Sequence, residues 1–405
     1  MKILVVGAGG VGSAVAAIAN ERQFFESMAL VDIDETRAAK SIDGLDTKRF
    51  KSGKADASSK EDIVRAIKSF EADVVLNACD PRFNPPIFDA CFEAKVTYID
   101  MAMHLSKAHE SDPYNKVGVM LGDEQFAVAE DWEDAGCLAV VGMGIEPGLS
   151  DIFAKYGADT YFNEVDEIGV RDGANLAIEG YDFAPTFSIW TTIEECLNPP
   201  LVWEKDRGYF TTKPFSEPET FFFPEGIGNV ECVNVEHEEV VLIPKYVDCN
   251  RVTFKYGLGD EFIAVLQALH LTGLDSVEPV SVKGQMVAPR DVVAATLPNP
   301  AELGHLMTGK TCAGTWIKGT GKDGEPLEKY LYHVIDNETS MNRWGHQAVV
   351  SQTAINPVIA MELLSQGTWS GTGVHGPEFF ISKPFLDLLE NYECPWGVMD
   401  VERED

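Results

Sequence analysis

A glycine-rich turn at the start of the chain constrains the fold more than any other feature of the sequence. It follows residues 3–6, a short unbroken apolar run that is typical of a strand buried on both faces of a parallel sheet. The turn has the pattern G-x-G-x-x-G and leads into small residues that favour a helix. Its glycines allow a tight turn, close approach of a pyrophosphate and close helix–strand packing. The predicted phosphate-binding residues are Gly7, Gly9, Gly10, Val11 and Gly12.

A second apolar run, residues 28–32, ends in an acid that indicates the type of dinucleotide. Asp32 stands 20 positions after the last glycine of the turn, the usual separation for the carboxylate that hydrogen-bonds a ribose 2′-hydroxyl. Because Asp32 and the nearby Asp34 would repel a 2′-phosphate, the sequence favours NAD as the cofactor. Arg37 is close enough in sequence to bind that phosphate, so NADP stays open as an alternative.

The chain is strongly acidic. Its 405 residues include 65 Asp and Glu against 32 Lys and Arg, and the formal net charge is −33. This length exceeds what one hydrophobic core usually supports, which predicts two lobes. The negative charge disfavours nucleic acid and anionic membranes as partners and mildly favours small cationic molecules. Solubility or adaptation to salt is an alternative explanation of the same charge.

Eight cysteines are scattered along the chain without C-x-x-C or clustered Cys/His spacing. This pattern predicts neither a disulfide framework nor a zinc site, so we expect no bound metal. It suits a reducing compartment, and we expect a soluble, cytoplasmic protein. No apolar run approaches the ~20 residues that span a bilayer. Glycines interrupt the apolar N-terminus, which argues against a signal peptide.

Strands and helices alternate over the first part of the chain. Residues 60–70 place apolar side chains on one helical face. Further buried strands are predicted at 73–78, 96–100 and 138–141. This alternation predicts an α/β Rossmann fold, a doubly wound parallel sheet, over residues 1–150.

The end of the chain is expected to return to this lobe. Residues 347–364 are apolar and helical in pattern, and a further short helix is predicted at 384–390. If both pack on the Rossmann domain, that domain includes residues 345–405, and residues 151–344 are an insertion.

The inserted segment, residues 151–344, has a different pattern. Apolar and polar residues alternate in longer strands at 164–172 and 251–256. Residues 198–226 are rich in proline and aromatics and are predicted to form an ordered loop, and Lys322-Asp-Gly324 is a hairpin turn signal. We therefore predict an α+β mixed-sheet domain for substrate binding and dimerisation. Its exposed sheet surface suits pairing with a second copy, so a homodimer is expected.

Ligands of a doubly wound sheet bind at the carboxyl ends of its strands. The sequence places several further candidates for the cofactor site there, namely Asp56, Asn77, Ala78 and Cys79. A surface loop acid is an equal alternative for Asp56, because exposed aspartate is common.

Several motifs together resemble the saccharopine dehydrogenase family, which includes saccharopine reductase, lysine 6-dehydrogenase and carboxynorspermidine dehydrogenase. The resemblance covers nearly the whole chain and is closest to the last of these branches in the C-terminal motifs. The matching segments are Val5–Gly12, Val74–Asn77, Tyr98–Asp100, Gly144–Asp151, Phe223–Gly228, Gly309–Cys312, Gly373–Glu378, Lys383–Leu386 and Pro395-Trp396.

Two departures from the family pattern concern the cofactor and the acid in its Gly-x-Asp-Pro-Gly element. Polyamine-pathway members usually carry Ser-Arg or Asn-Arg after the second strand, whereas this chain has Val31-Asp32, as in the NAD-using lysine 6-dehydrogenase. The element itself is Gly144-Ile-Glu146-Pro-Gly148, so the carboxylate carries one more methylene.

The resemblance implies hydride transfer between nicotinamide and a carbon that bears nitrogen, together with one tuned acid–base group. The catalytic candidates are Glu146, Asp100 and His104. Glu146 matches the acidic position of the family, although holding its turn by backbone hydrogen bonds is an equal alternative. His104 titrates near neutrality, but an ordinary surface histidine is the commoner explanation.

Substrate contacts are predicted from both lobes. The candidates are Tyr98, Asp151, Arg171, Arg251 and Lys310. The three cations would bind substrate carboxylates, with arginine favoured for its bidentate geometry. Each could instead serve only to solvate a strand face.

The resemblance leaves several functions open. The leading one is an NAD(P)-dependent C–N oxidoreductase for an amino acid or an amino-acid–amine conjugate of the saccharopine or carboxynorspermidine type. A lysine 6-dehydrogenase, a redox-neutral NAD-dependent synthase and a non-catalytic NAD sensor are the alternatives, because fold alone does not settle function.

Overall fold

The computed structural model describes residues 1–401, and strands alternate with helices in its first part. The elements are β1 (Lys2–Val6), α1 (Gly10–Asn20), β2 (Ser27–Asp32), α2 (Glu35–Lys40), β3 (Phe50–Lys54), α3 (Lys60–Phe70), β4 (Val74–Asn77), α4 (Asn84–Ala94), β5 (Thr97–Asp100), α5 (Asp123–Phe126), α6 (Ala129–Asp134), β6 (Leu138–Val140) and α7 (Leu149–Tyr161).

The middle of the chain is richer in strands. Its elements are β7 (Phe162–Ala174), β8 (Ala177–Ile178), α8 (Ile189–Leu197), β9 (Leu201–Glu204), β10 (Gly208–Thr211), β11 (Glu219–Phe223), β12 (Gly228–Asn234), α9 (Glu239–Tyr246), β13 (Arg251–Tyr256), α10 (Asp260–Thr272), β14 (Val280–Val282), β15 (Gln285–Val287), α11 (Pro289–Thr296), β16 (Met307–Thr308), β17 (Lys310–Gly321) and β18 (Pro326–Asp336).

The last elements are mainly helical. They are α12 (Asn337–Trp344), α13 (Ala348–Ser365), β19 (Gly373–His375), α14 (Ser382–Asn391) and β20 (Trp396–Asp400). Short 3-10 turns also occur at Pro81–Phe83, Pro300–Glu302, Gly304–Leu306 and Pro377–Phe379.

The first sheet has seven parallel strands in the order β19-β6-β5-β4-β1-β2-β3. The interior strand β1, which lies between β4 and β2, is the apolar run at the start of the chain, and residues 3–6 are almost completely buried. Helices cover both faces, as a parallel sheet requires. The predicted doubly wound α/β fold is confirmed, and the carboxyl ends of β1, β4 and β5 meet at one edge of the sheet.

The second sheet has nine strands and is mixed. Its main path is β10-β9-β13-β7-β17-β18-β20, and the β11–β12 hairpin joins it through β13. Strands β13 and β7 are parallel, whereas β17 pairs with both β7 and β18 in the antiparallel sense. The predicted hairpin turn at 322–324 connects β17 and β18. Helix α7 packs against β7 and β17.

Two predictions about this region are wrong. Residues 198–226 are not a loop, because they contain β9, β10 and β11. Their prolines separate short strands, and the aromatic residues between them favour a pleated surface. The final segment also does not all return to the first lobe, because β20 pairs with β18 in the second sheet. The rest of that segment behaves as predicted, with α13 packed on α1 and β19 added to the first sheet.

Helix α13 is long and apolar enough to cross a membrane by length and composition alone. In the structure 83% of it is buried inside the protein. It packs along α1 and α14, and its polar residues are used internally; Gln352, for example, donates a hydrogen bond to the carbonyl oxygen of His333 at 2.9 Å. Packing in the protein core therefore accounts for the apolar composition of α13.

Candidate active site

The glycine-rich loop has the geometry of a phosphate-binding site. Gly7 adopts a φ of +102°, and a Cβ on Gly12 would overlap the carbonyl oxygen of Gly7. Gly9 is the N-cap residue of α1, and it has no side chain to accept hydrogen bonds from the first N–H groups of the helix. A Cβ added to Gly9 would meet no atom within 4 Å. The first N–H groups of α1 thus face open space at the positive end of the helix dipole. The residues present fit the pyrophosphate of a dinucleotide.

Asp32 lies at the carboxyl end of β2, beside this loop, and only 8% of the residue is exposed. One carboxylate oxygen accepts a hydrogen bond from the N–H of Ala8 at 3.0 Å, and the other accepts from the N–H of Asp34 at 2.9 Å. The Arg37 guanidinium lies 3.5 Å from the same carboxylate and is mostly exposed. Asp32 therefore supports the loop and retains lone pairs for a ribose hydroxyl, while Arg37 stands where a 2′-phosphate would need a cation.

A cavity of about 300 Å³ connects the glycine loop with the second sheet; we call it the cleft. Gly9 and Gly10 form one end, and the strand-end residues Ala78 and Cys79 form a side wall. The opposite wall comes from several separate elements of the second lobe. Its ionisable and hydroxyl side chains are Asp172 on β7, Glu195 on α8, His237 and Glu238 before α9, and Tyr256 at the end of β13.

Glu146 and Asp172 form a carboxyl pair inside the cleft. Burial, and then the negative charge of Asp172, raises the pKa of Glu146 well above its usual value. Burial also raises the pKa of Asp172, to about 6, although hydrogen bonds from Glu146 and Tyr256 oppose the rise. One proton is thus shared near neutral pH, with Glu146 the more protonated member. Within residues 1–401, no conventional hydrogen-bond donor reaches Glu146 Oε1.

Three further ionisable residues, Glu195, His237 and Glu238, line the same wall. Burial raises the pKa of Glu195 to about 8 and raises that of Glu238 as well. Burial lowers the pKa of His237, but the charge and hydrogen bond of Glu239, together with Glu238, raise it to about 10. His237 Nδ1 lies 2.6 Å from Glu239 Oε2 and 3.4 Å from Glu238 Oε2. Glu238 and Glu239 therefore neutralise the positive charge of the His237 imidazolium, which does not make the cleft positive.

The electrostatic character of the cleft follows from this composition. Across the described part of the chain, no lysine or arginine lines the cavity. Glu146, Asp172, Glu195 and Glu238 all do. Carboxyls forced together in a low-dielectric space have raised pKa values unless a cation joins them. The cleft therefore favours the binding of a positively charged ligand.

Family models divide the chain at the junction of these two lobes. The saccharopine dehydrogenase NADP binding domain matches residues 3–140, and the saccharopine dehydrogenase C-terminal domain matches residues 144–394.

The chain belongs to the saccharopine dehydrogenase family.

Curated relatives of this saccharopine dehydrogenase family member span nearly its full length. Carboxynorspermidine synthase of Vibrio cholerae is 29% identical over 413 residues, covering 99% of this chain and 98% of the relative. Carboxyaminopropylagmatine dehydrogenase of Synechocystis sp. is 28% identical over 396 residues, covering 98% and 96%. The fold is that of saccharopine dehydrogenase (L-Glu forming) from Saccharomyces cerevisiae, with a TM-score of 0.70 over 99% of this chain and 100% of the other at 13% identity. The protein is accordingly an NAD(P)-dependent oxidoreductase that acts on CH–NH bonds.

The structure does not bring the three predicted substrate cations of this enzyme into the cleft. Arg171 is buried between Glu219 and the hydroxyl of Thr253, which lies 3.2 Å away. Lys310 lies 3.5 Å from Glu225, away from the cavity. Arg251 is surrounded by acids on the outer part of the sheet, namely Glu167, Glu204 and Glu217. Each has an acidic partner from another strand or turn of the second lobe, which the sequence alone did not reveal, so the prediction that they bind a substrate carboxylate in this cavity is corrected.

Two of the predicted catalytic residues also lie outside the cleft. Asp100 is buried and accepts hydrogen bonds from the N–H of Gly142 at 2.7 Å and from Gln125 Nε2 at 2.8 Å. Burial raises its pKa to about 7. His104 packs edge-on against Phe88, and burial lowers its pKa. Asp100 thus supports the backbone that follows β6, and His104 packs in the core. Of the three catalytic candidates only Glu146 lines the cleft.

Tyr98 and Asp151 have supporting positions as well. Tyr98 is fully buried, and its hydroxyl accepts a hydrogen bond from Asn77 Nδ2 at 3.2 Å. Asp151 accepts from the N–H of Gly148 at 2.7 Å and faces Glu378, so it holds the turn that carries Glu146. Neither side chain lines the cleft.

The remaining cofactor predictions divide in a similar way. Ala78 and Cys79 line the cleft, whereas Asn77 lies beneath them and accepts from the N–H of Cys79 at 3.0 Å. Asp56 follows β3 at the same edge of the sheet as Asp32, but it accepts hydrogen bonds from Ser58 in a local turn and does not line the cavity.

Sequence reasoning missed most of the acidic wall. Asp172, Glu195 and Tyr256 stand on separate elements, and nothing in their local sequence marks them. One signal was available in the sequence, the run of four consecutive ionisable residues Glu236-His-Glu-Glu239. In the structure all four are nearly completely buried, which is unusual for such residues and typical of functional sites.

Proposed function

We propose that this enzyme acts on a polycationic amino-acid–amine conjugate, a compound of the chemical class that the names of its relatives describe. The observation that supports this most directly is the acidic cleft, on whose walls residues 1–401 place no lysine or arginine. A substrate with several ammonium groups would pair with Glu195, Glu238 and Asp172 and relieve the repulsion among them. Saccharopine, which carries three carboxylates, would find no lysine or arginine of residues 1–401 on the walls of the same space.

Proton transfer in this proposal belongs to the Glu146–Asp172 pair. Bound nicotinamide supplies or accepts the hydride. Reduction of an imine adds one hydride at carbon and one proton at nitrogen, and oxidation of an amine removes both. Protonated Glu146 gives its proton to the nitrogen in the first direction and takes it back in the second, while ionised Asp172 holds the cationic nitrogen in place. The N–H of Gly144 donates to the carbonyl oxygen of Pro147 at 2.7 Å, which keeps the turn of Glu146 closed.

We further propose that NAD is preferred over NADP. The supporting feature is Asp32, a buried carboxylate beside the glycine loop that would repel a 2′-phosphate. Arg37 lies 3.5 Å from Asp32 and is already engaged by that negative charge.

The first test is a substrate panel followed by absorbance of reduced nicotinamide. Purified protein is offered NAD and NADP separately with carboxynorspermidine, carboxyspermidine, carboxyaminopropylagmatine, saccharopine and lysine. We expect kcat/KM to be highest for the polycationic conjugates with NAD, and to fall as salt screens the cleft. Preference for saccharopine would overturn the proposal.

We also propose that the protein is a homodimer that pairs through the outer face of the second sheet. An aromatic cluster lies on this sheet, in which the partly exposed Phe221 is 4.9 Å from the buried Tyr330 and the partly exposed Tyr332 stacks on Tyr330 at 5.8 Å. Aromatic surface that stays partly exposed on a sheet is typical of an interface. Light scattering should give twice the 44.4 kDa of one chain; a mass of one chain at micromolar concentration would contradict this.

A further inference from the structure

A second cavity, of about 570 Å³, adjoins the cleft; we call it the tail cavity. Five residues line both spaces and mark where they meet, namely Asp172, Phe187, Tyr256, Thr311 and Val349. A ligand bound at the Glu146–Asp172 pair can therefore extend from the cleft into the tail cavity.

Several aromatic side chains line the tail cavity. Phe183 and Phe262 face one another with ring centroids 5.1 Å apart, and Tyr181 is 44% exposed at the opening. Phe187 continues this surface to the cleft. Ring faces of this kind bind both methylene chains and cations, the latter through the ring quadrupole.

Three carboxylates stand among these rings without cationic partners. Asp182, Asp260 and Glu261 line the tail cavity and are exposed. Residues 1–401 offer none of them an ion pair, whereas Glu167, Glu204 and Glu219 of the second sheet each have one. No lysine or arginine of this same range lines the tail cavity. Aromatic faces combined with unpaired carboxylates favour an ammonium or guanidinium group.

We propose that the tail cavity is a subsite for the distal cationic end of the conjugate, with the reacting nitrogen at Glu146 and Asp172. This inference rests on the proposed function. The methylene chain between the two nitrogens would lie along Phe187 and Val349, which line both spaces. The subsite would then select substrates by the presence of a charged tail, in addition to the amino-acid portion that reacts.

The test uses a triple variant, Asp182→Asn/Asp260→Asn/Glu261→Gln, which removes three charges from the tail cavity. A matched control, Glu164→Gln/Glu231→Gln/Glu338→Gln, removes three exposed charges elsewhere. Both are compared with the wild type for carboxynorspermidine and for an analogue whose terminal ammonium is replaced by a methyl group. We expect the cavity variant to raise KM for carboxynorspermidine about tenfold, with kcat and the KM of the analogue unchanged, because each exposed ion pair contributes modestly. The control variant should resemble the wild type.

A binding measurement separates this inference from the proposed function. Calorimetric titration of norspermidine into the NAD-bound protein should show about tenfold weaker binding for the cavity variant than for the wild type or the control. Phe183→Leu, which keeps the apolar volume, should weaken binding in the same direction. If no conjugate is turned over but this difference appears, the proposed function fails and the subsite stands. If conjugates are turned over and neither KM nor binding depends on the three carboxylates, or if norspermidine does not bind, the subsite is wrong.

Discussion

Replacing Glu146 by glutamine is expected to lower kcat by about 10²- to 10⁴-fold, the range that general acid–base groups contribute. Glutamine has nearly the same size as a protonated glutamate and can still donate a hydrogen bond to Asp172, but it cannot release a proton. Substrate binding should therefore change little, and KM should stay within a few-fold of the wild type. Steady-state kinetics with the best substrate of the panel measures both constants.

The pH profile gives this prediction a second readout. In the wild type, kcat/KM should fall as the pH drops through about 6, because Asp172 becomes protonated and no longer binds a cation. In the direction of imine reduction it should also fall at high pH, where Glu146 has lost the proton that it gives to the nitrogen. The apparent pKa values read from this profile describe the Glu146–Asp172 pair as a unit and not either residue alone. In Glu146→Gln the alkaline decline assigned to Glu146 should disappear.

The matched control is Glu164→Gln, an exposed glutamate on β7 that faces away from the cleft region. It should retain wild-type kcat and the same pH profile. If Glu146→Gln keeps full activity with an unaltered profile, Glu146 only supports its turn, and the proton must come from another group.

Replacing Asp32 by asparagine is expected to shift the ratio of kcat/KM for NAD to that for NADP by about 10- to 100-fold toward NADP. Asparagine retains one acceptor oxygen for the loop but removes the charge that repels a 2′-phosphate, and Arg37 is released to bind it. The lost hydrogen bond from a ribose hydroxyl to a carboxylate is worth about 1.5–3 kcal/mol, which corresponds to the same range. Kinetics with each cofactor at saturating substrate provide the measurement.

The neighbouring Asp34→Asn variant is the control for charge. Asp34 is exposed and caps α2 by accepting a hydrogen bond from the N–H of Thr36 at 2.9 Å, without contacting the glycine loop. It should leave the cofactor ratio almost unchanged. An equal shift in both variants would mean that the general negative field, and not the position of Asp32, selects the cofactor. No shift in either would refute the argument for NAD.

The strand-end residues show how much of the site can be predicted from local sequence. Glycine spacing, the apolar run of residues 3–6 and the acid at Asp32 are consecutive features of one strand–turn–helix unit, so their geometry follows from backbone sterics and burial. The same reasoning placed Ala78 and Cys79 correctly, because parallel strands bring their carboxyl ends to one edge.

The wrong assignments have a common cause. Arg171, Arg251 and Lys310 lie on strands as predicted, but whether a cation faces a cleft or an acid depends on which strands become neighbours. Strand β13 lies parallel to β7 and antiparallel to β9 and β12. That order brings Glu204 and Glu217 to Arg251. Pairings between strands that are distant in sequence leave little trace in local residue patterns.

The Rossmann lobe, the phosphate loop, the family and the carboxylate of Glu146 could be predicted from the sequence, because each depends on residues that are close together in the chain. The chemistry around that carboxylate could not be predicted in this way, because it depends on the folded arrangement of distant segments. Asp172, Glu195, His237 and Glu238 come together from different elements, and their pKa values depend on burial and on one another. The overall charge of −33 is a property of composition, whereas concentrating part of it in one buried cleft requires the folded chain.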